Sequence, residues 1–253
     1  MLESYVADDI QIVKLNNPPT NSITYEMLEA LNELIQKVNE TDSLKGLVLT
    51  GEGRFFSSGF DLPIFINFPD LDAAERFFQF EESVLLNLFT CRKPVVSAMN
   101  GHTAAAGLIY SMAADYRIVT EHPKIKVGMS EIKIGLPLLF AQHEVMRFGF
   151  DSNLKFRDVM FSGQMMDVYK ARDMALVDEL VEAERLLERA GEMVSVCIDT
   201  PNRPFIRMKE LLRMDTARRI RRKLDEENWR DGLQTFFQPE VRQTLEFVQA
   251  SMQ

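Results

Sequence analysis

The sequence predicts a mixed α/β core built from repeated strand-strand-helix units and continued by a helical C-terminal region. Three observations lead there. Short runs rich in Val, Ile and Leu recur along the first half, "IQIVKL" at 10–15, "KGLVLTG" at 45–51, "KPVVSAMN" at 93–100 and "YRIVT" at 116–120, and helical spacing returns between them. After Leu136 the strand signal fades except in "LVDELV", and helical periodicity takes over. With 253 residues, 46% of them hydrophobic, the chain is long enough for one large core.

Taken in order, "SYVA" and "IQIVKL" read as two strands around the turn Asp8-Asp9, and "NPPTNS" breaks the chain before a helix. That helix, Thr24 to Asn39, sets Met27, Leu28, Leu31, Leu34, Ile35 and Val38 on one face, with Ser22 or Thr24 as its cap. "KGLVLTG" is a buried strand, "RFFSSGFDL" a loop, and Asp70 to Phe89 a long helix rich in phenylalanine. "KPVVSAMN" is the next strand and Ala104 to Ala114 the next helix, after which "YRIVT" and "KIKVG" form another strand pair. Helices are then expected at Leu138 to Arg147, Asn153 to Phe161, Val168 to Met174, Leu186 to Cys197, Phe205 to Arg230 and Pro239 to Met252. No low-complexity linker interrupts them, so the helical part is expected to pack on the core or on a neighbouring subunit.

The formal net charge of -9 argues against general nucleic-acid binding, because a protein that neutralises phosphates presents a basic surface. Only Cys91 and Cys197 occur, each within an apolar helical pattern, which points to packing residues rather than a disulfide framework and to a reducing compartment. The start of the chain, "MLESYVADDI", has early acids and no apolar run of signal-peptide length, and no window approaches a membrane-spanning helix. The expected location is the cytoplasm.

Chemistry has few places to reside. The stretch "NGHTAAAGLIYSMAADYRI" sets three alanines and a glycine at a strand-to-helix junction, where small residues allow close approach to unpaired N–H groups at a helix start. Small residues there also serve tight helix-sheet packing. A second loop, "FFSSGFDL", follows another strand, and two such loops could each aim one backbone N–H at the same oxygen. An oxyanion hole without a nucleophile suggests enolate chemistry, which needs a base. In "KVGMSEIKIGLPLLF", Glu131 stands among Met129, Ile132, Ile134 and Leu136, an apolar setting that would raise its pKa; the alternative is a solvated loop acid.

Several stretches in this order and spacing carry a resemblance: "LNNPPTNSIT", "KGLVLTGEGRFFSSGFDL", "KPVVSAMNG", "AADYRIVTEHPKIKVGMSEIKIGLP" and "FSGQMMDVYKARDMALVDELV". The chain resembles the crotonase superfamily, the enoyl-CoA hydratases and isomerases, from Tyr5 to about Glu182 and more loosely beyond. The resemblance implies an α/β crotonase (ClpP-like) spiral of repeated ββα units, with residues 1–195 as the spiral core and 196–253 as the helical C-terminal region. It puts the oxyanion pair on the N–H groups of Phe60 and Ala106, and among substrate-binding residues Ser58, Gly59, Asp61, Leu62, Gly107, Ile109 and Leu136. The family's hydratases use two glutamates; the first falls on Ile109 and the second on Glu131. One carboxylate suffices to move a proton between carbons, so the pattern is similar to the Δ3,Δ2-enoyl-CoA isomerases. A hydratase, a decarboxylase or thioester hydrolase, and a catalytically silent acyl-CoA-binding protein remain alternatives.

No metal, flavin or nicotinamide site is visible in the sequence, so no metal and no cofactor is expected, and the resemblance implies a CoA thioester as substrate and a homotrimer or dimer of trimers. Phe65, Phe68, Phe77, Phe78 and Phe80 lie near the segment that shapes the acyl channel in relatives, or are plain core. "ARRIRRK" (217–223) is the strongest basic run, a candidate for the CoA phosphates or a solvated helix face. His102 and His143 could reach the pocket as second proton-transfer groups or be structural, and His122 is expected to be exposed.

Overall fold

The computed structural model describes residues 1–252. The chain opens with the hairpin β1 (Leu2–Ala7) and β2 (Ile10–Leu15), whose turn places Asp8 and Asp9 at positive φ, and continues into α1 (Tyr25–Glu40). Thr24 caps α1, its hydroxyl accepting from the Met27 N–H at 3.3 Å, while Ser22 instead donates to Asp61. The buried face of α1 is Met27, Leu28, Leu31, Ile35 and Val38, each contributing about 1.5 to 3 kcal/mol by leaving water.

Then follow β3 (Gly46–Gly51), β4 (Phe55–Ser57), α2 (Leu62–Ile66), α3 (Leu71–Phe89), β5 (Val95–Met99), β6 (His102–Ala104), α4 (Ala106–Met112), β7 (Tyr116–Thr120) and β8 (Lys126–Gly128). A 3-10 turn at Glu131–Ile134 leads to α5 (Phe140–Gly149), α6 (Asn153–Ser162), β9 (Met165–Asp167), α7 (Val168–Asp173) and β10 (Glu179–Val181). The rest is α8 (Leu186–Ile198), α9 (Pro204–Leu224), a 3-10 stretch at Glu227–Phe237 and α10 (Pro239–Met252).

Two sheets divide the strands. The larger runs in the order β1-β2-β3-β5-β7-β10, parallel except for the antiparallel β1–β2 pair, and the smaller runs β4-β6-β8-β9 with β9 antiparallel. From β3 to β8 each winding therefore lays one strand in the large sheet and the next in the small one. That corrects the expected pairing of "YRIVT" with "KIKVG": β7 pairs with β5 and β10, and β8 with β6 and β9. The stretch expected to be a loop after β3 likewise contains β4 and the short α2.

Two helices are shorter than their periodicity suggested. α4 begins at Ala106 because Ala104 belongs to β6 and Ala105 takes φ 55°. α9 stops at Leu224 rather than Arg230, where the acidic run Asp225-Glu226 opposes the partial negative charge of a helix C-terminus. Residues of α9 and α10, among them Ala217, Ile220, Val241 and Leu245, join the same apolar core as α1, α3 and α4. Cys91 is buried, but Cys197 is only half-buried; both are free thiols. No helix among the described residues is long and apolar enough to cross a membrane.

Candidate active site

β4, β6 and β8 are adjacent and parallel, so their C-terminal ends share one edge of the small sheet. Phe60 lies three residues beyond the end of β4, Ala106 two beyond β6, and Glu131 three beyond β8. Neighbouring strands stand about 4.8 Å apart, so residues just past three such ends converge on one space. That space is a cavity of about 280 Å³ lined by Phe60, Ala106 and Glu131 together with Ser58, Leu62, Ile109 and Leu136. It is walled mainly by apolar side chains, including Phe65, Phe78, Leu138 and Leu139.

Two of its lining residues, Phe60 and Ala106, have main-chain N–H groups outside the regular sheet and helix bonding. Ile23 forms a parallel bridge with Phe60, donating to the Gly59 carbonyl at 2.8 Å and accepting from the Asp61 N–H at 3.0 Å. The bridge uses the groups on either side of Phe60, so the N–H of Phe60 itself turns the other way. The Ala106 N–H opens α4 and has no acceptor within the helix. The loops touch at Gly59, where an added Cβ would stand 2.7 Å from the Ala105 Cβ and 3.3 Å from the Ala106 nitrogen. Gly59 also has φ 109°, a conformation that side chains disfavour.

Glu131 opens its 3-10 turn, and Gly135 ends that turn in the left-handed region at φ 75°. The N–H groups of Gly135 and Leu136 both donate to the Glu131 carbonyl, which holds the residue and sets Leu136 on the cavity wall. Glu131 as a whole is half-buried, but its Oε2 is shut off from solvent and has no hydrogen-bond partner. Burial pushes its carboxyl up to about 7, against a partial opposing pull from the main-chain N–H groups of Glu131 and Ser130. Ile109, buried at 2% exposure, lines the same cavity.

Of the expected binding residues, Gly59, Asp61 and Gly107 lie close by without lining this cavity. Gly107 packs against Ser57 of β4, and Asp61 lines an adjoining cavity of about 480 Å³ that shares Phe60 and Leu62 with the first. Phe65 and Phe78 reach the wall; Phe68 and Phe77 stack behind them, and Phe80 turns to Tyr25. His102 accepts from the Lys126 N–H and stacks near Phe55, His143 stands against Glu144 and Phe156, and His122 is exposed; none lines the cavity. Within the basic run Arg219 pairs with Glu144 at 2.6 Å, and Arg218 and Arg221 line a separate cleft between α9 and the turn Thr90-Cys91-Arg92 after α3.

Sequence reasoning missed Gln142, Met165, Phe236 and Val248, which also line the cavity. Met165 follows from register, since it pairs with Gly128 at the end of β8. Phe236 and Val248 come from the C-terminal region, which folds over the cavity of its own chain.

Comparison with known proteins agrees with this architecture. The family model for enoyl-CoA hydratase/isomerase matches residues 6–245. The mitochondrial enoyl-CoA delta isomerase 1 of Mus musculus is 27% identical over 211 residues, covering 82% of this chain and 72% of the relative. A probable enoyl-CoA hydratase of Bacillus subtilis (strain 168) is 22% identical over 241 residues, covering 90% of this chain and 92% of the relative. In fold, the chain superposes on the crystal structure of human mitochondrial delta3-delta2-enoyl-CoA isomerase with a TM-score of 0.90 at 21% identity, covering 99% of this chain and 97% of that one. The winding of paired strands and helices is thus the crotonase spiral, and the chain belongs to the enoyl-CoA hydratase/isomerase family.

Proposed function

We propose that the protein is a Δ3,Δ2-enoyl-CoA isomerase that moves a double bond with one glutamate. The observation that carries this reading is the unpartnered, buried Oε2 of Glu131 in a cavity that Ile109 also lines, Ile109 being the residue on which the family resemblance puts a hydratase's other acid. The Glu131 carboxylate takes a proton from C2 of a 3-enoyl-CoA. Electrons of that C–H bond delocalise into a dienolate whose thioester oxygen accepts from the Phe60 and Ala106 N–H groups. The Glu131 acid then returns the proton at C4, leaving the double bond between C2 and C3. Hydration would have to activate a water for attack at C3 and also deliver a proton to C2, and the isoleucine supplies no second group for that work.

The acyl chain lies among Phe65, Phe78, Leu136 and Leu139, and the CoA arm leaves through the adjoining cavity beside Ser22, Asp61 and Leu62. CoA thioester is substrate, and the reaction calls for no metal or other cofactor. The reading carries with it a homotrimer or dimer of trimers in the cytoplasm, which the mass of the protein in solution and its cellular location would check.

The experiment is to supply 3-hexenoyl-CoA and crotonyl-CoA separately and follow conjugation, hydration and CoA release. Conjugation of the first without hydration of the second is expected. Hydration of crotonyl-CoA as fast as isomerisation, or release of free CoA, would overturn the proposal.

A further inference from the structure

Behind the cavity wall sits a polar cluster in which two neighbouring acids of α3, Glu81 and Glu82, are buried at 0% and 1% exposure. Neither lines the cavity. Glu82 Oε1 accepts from the Ala141 N–H at 2.6 Å and the Gln142 N–H at 3.4 Å, in the first turn of α5. That turn needs the help, because its cap residue is Leu139, whose side chain has no acceptor, and Leu139, Ala141 and Gln142 are buried. Gln142 closes the arrangement: its Oε1 accepts from the Leu139 N–H at 3.1 Å and its Nε2 donates to Glu81 Oε2 at 2.9 Å. The other oxygen of Glu81 stands 3.3 Å from the Tyr110 hydroxyl on α4.

The stretch so anchored is the cavity wall. Leu136, Pro137, Leu138, Leu139 and Gln142 all face the cavity, and Glu131 begins the same segment. Its two ends are held independently: the Glu131 end by its own turn at Gly135, the Leu139 end by Glu82 across from α3.

We infer that Glu82 is a positioning residue for the reaction, a side chain that fixes the wall against which the acyl chain lies by capping α5 from a neighbouring helix. The inference rests on the acyl-CoA reading of the cavity. Wall contacts hold the acyl chain equally in the ground and transition states, so their loss raises KM and leaves kcat in place. Burial raises the pKa of both acids, to about 8 for Glu81, also repelled by Glu82, and about 7 for Glu82, in keeping with a cluster built for hydrogen bonding within the protein.

The test compares Glu82→Asp, which withdraws the acceptor by one methylene, with Glu82→Gln, which keeps an oxygen in place. Turnover is read with 3-decenoyl-CoA, and binding with decanoyl-CoA, which has no double bond to move. Glu82→Asp is expected to raise KM and the decanoyl-CoA Kd by about fivefold or more with kcat within twofold of wild type, while Glu82→Gln stays within twofold in all three. Unchanged KM and Kd in Glu82→Asp, a fall in kcat alone, or equal damage in Glu82→Gln overturns the inference. If Glu82→Asp yields no folded protein, Glu82→Gln decides: constants near wild type support the cap, and a raised Kd overturns it. Wild-type protein that binds decanoyl-CoA but isomerises nothing refutes the isomerase reading alone, and the Kd comparison still decides the role of Glu82. Wild-type protein that binds no decanoyl-CoA overturns both.

Discussion

In the proposed reaction Glu131 removes a weakly acidic carbon-bound proton, and burial raising its carboxyl to about 7 makes it a stronger base than a solvated glutamate. Only the ionised form accepts a proton, so kcat/KM is expected to rise with pH through about 7 and then level off; a pH-rate profile flat across that range would contradict the assignment. Glu131→Gln keeps the shape of the side chain and removes the base, so kcat should fall by about 10²- to 10⁴-fold while the Kd for a saturated acyl-CoA stays near wild type. Ile109→Glu should confer measurable hydration of crotonyl-CoA, at a cost in thermal stability because the new carboxyl enters an apolar wall. The place of Glu131 on the cavity was legible in the sequence through the family spacing, its apolar neighbours alone leaving a solvated loop acid open. Gln142 and Phe236 were not, since helical periodicity tells which face of a segment is apolar but not which distant surface that face meets.

At the level of elements, the two N–H groups depend on loops that meet without a side chain between them. Gly59→Ala would push a methyl against Ala105 at 2.7 Å and toward the Ala106 nitrogen while forcing alanine into φ 109°. In the proposed reaction these amides are the oxyanion donors, and displacing one costs about 2.7 to 4 kcal/mol of barrier, so kcat should drop by about 10²- to 10³-fold in protein whose circular dichroism remains native. The long elements could be read from sequence: α1, α3, β3 and β5 have enough residues to show a period, and Thr24 and Asp70 mark helix starts with side chains that accept from Met27 and Ala73. The small sheet could not. β4, β6, β8 and β9 have three residues each, too few to display alternation, and their partners lie one winding away.

For the molecule as a whole, the buried acids make stability depend on pH in an unusual direction. Glu81, Glu82 and Glu131 are all raised above their ordinary 4.5, to about 8, 7 and 7. Between those limits the native protein holds protons that the unfolded chain has released, so stability falls as pH rises through this window. The melting temperature should therefore decline from mildly acid conditions to pH 8, and Glu81→Gln should flatten the decline; a melting temperature that climbs over the same interval would refute it. The overall succession of strands followed by helices was visible in the sequence, whereas the division into two sheets was not, because it arises from the pitch of the winding rather than from any local pattern. That pitch brings one cavity-lining residue from the tip of each successive coil, and the proposed reaction uses an amide from the first, an amide from the second and a carboxyl from the third. Chemistry distributed in this way can be retuned one tip at a time, since exchanging the side chains on a single coil alters the reaction while the stacked backbone keeps the other two contributors where they were.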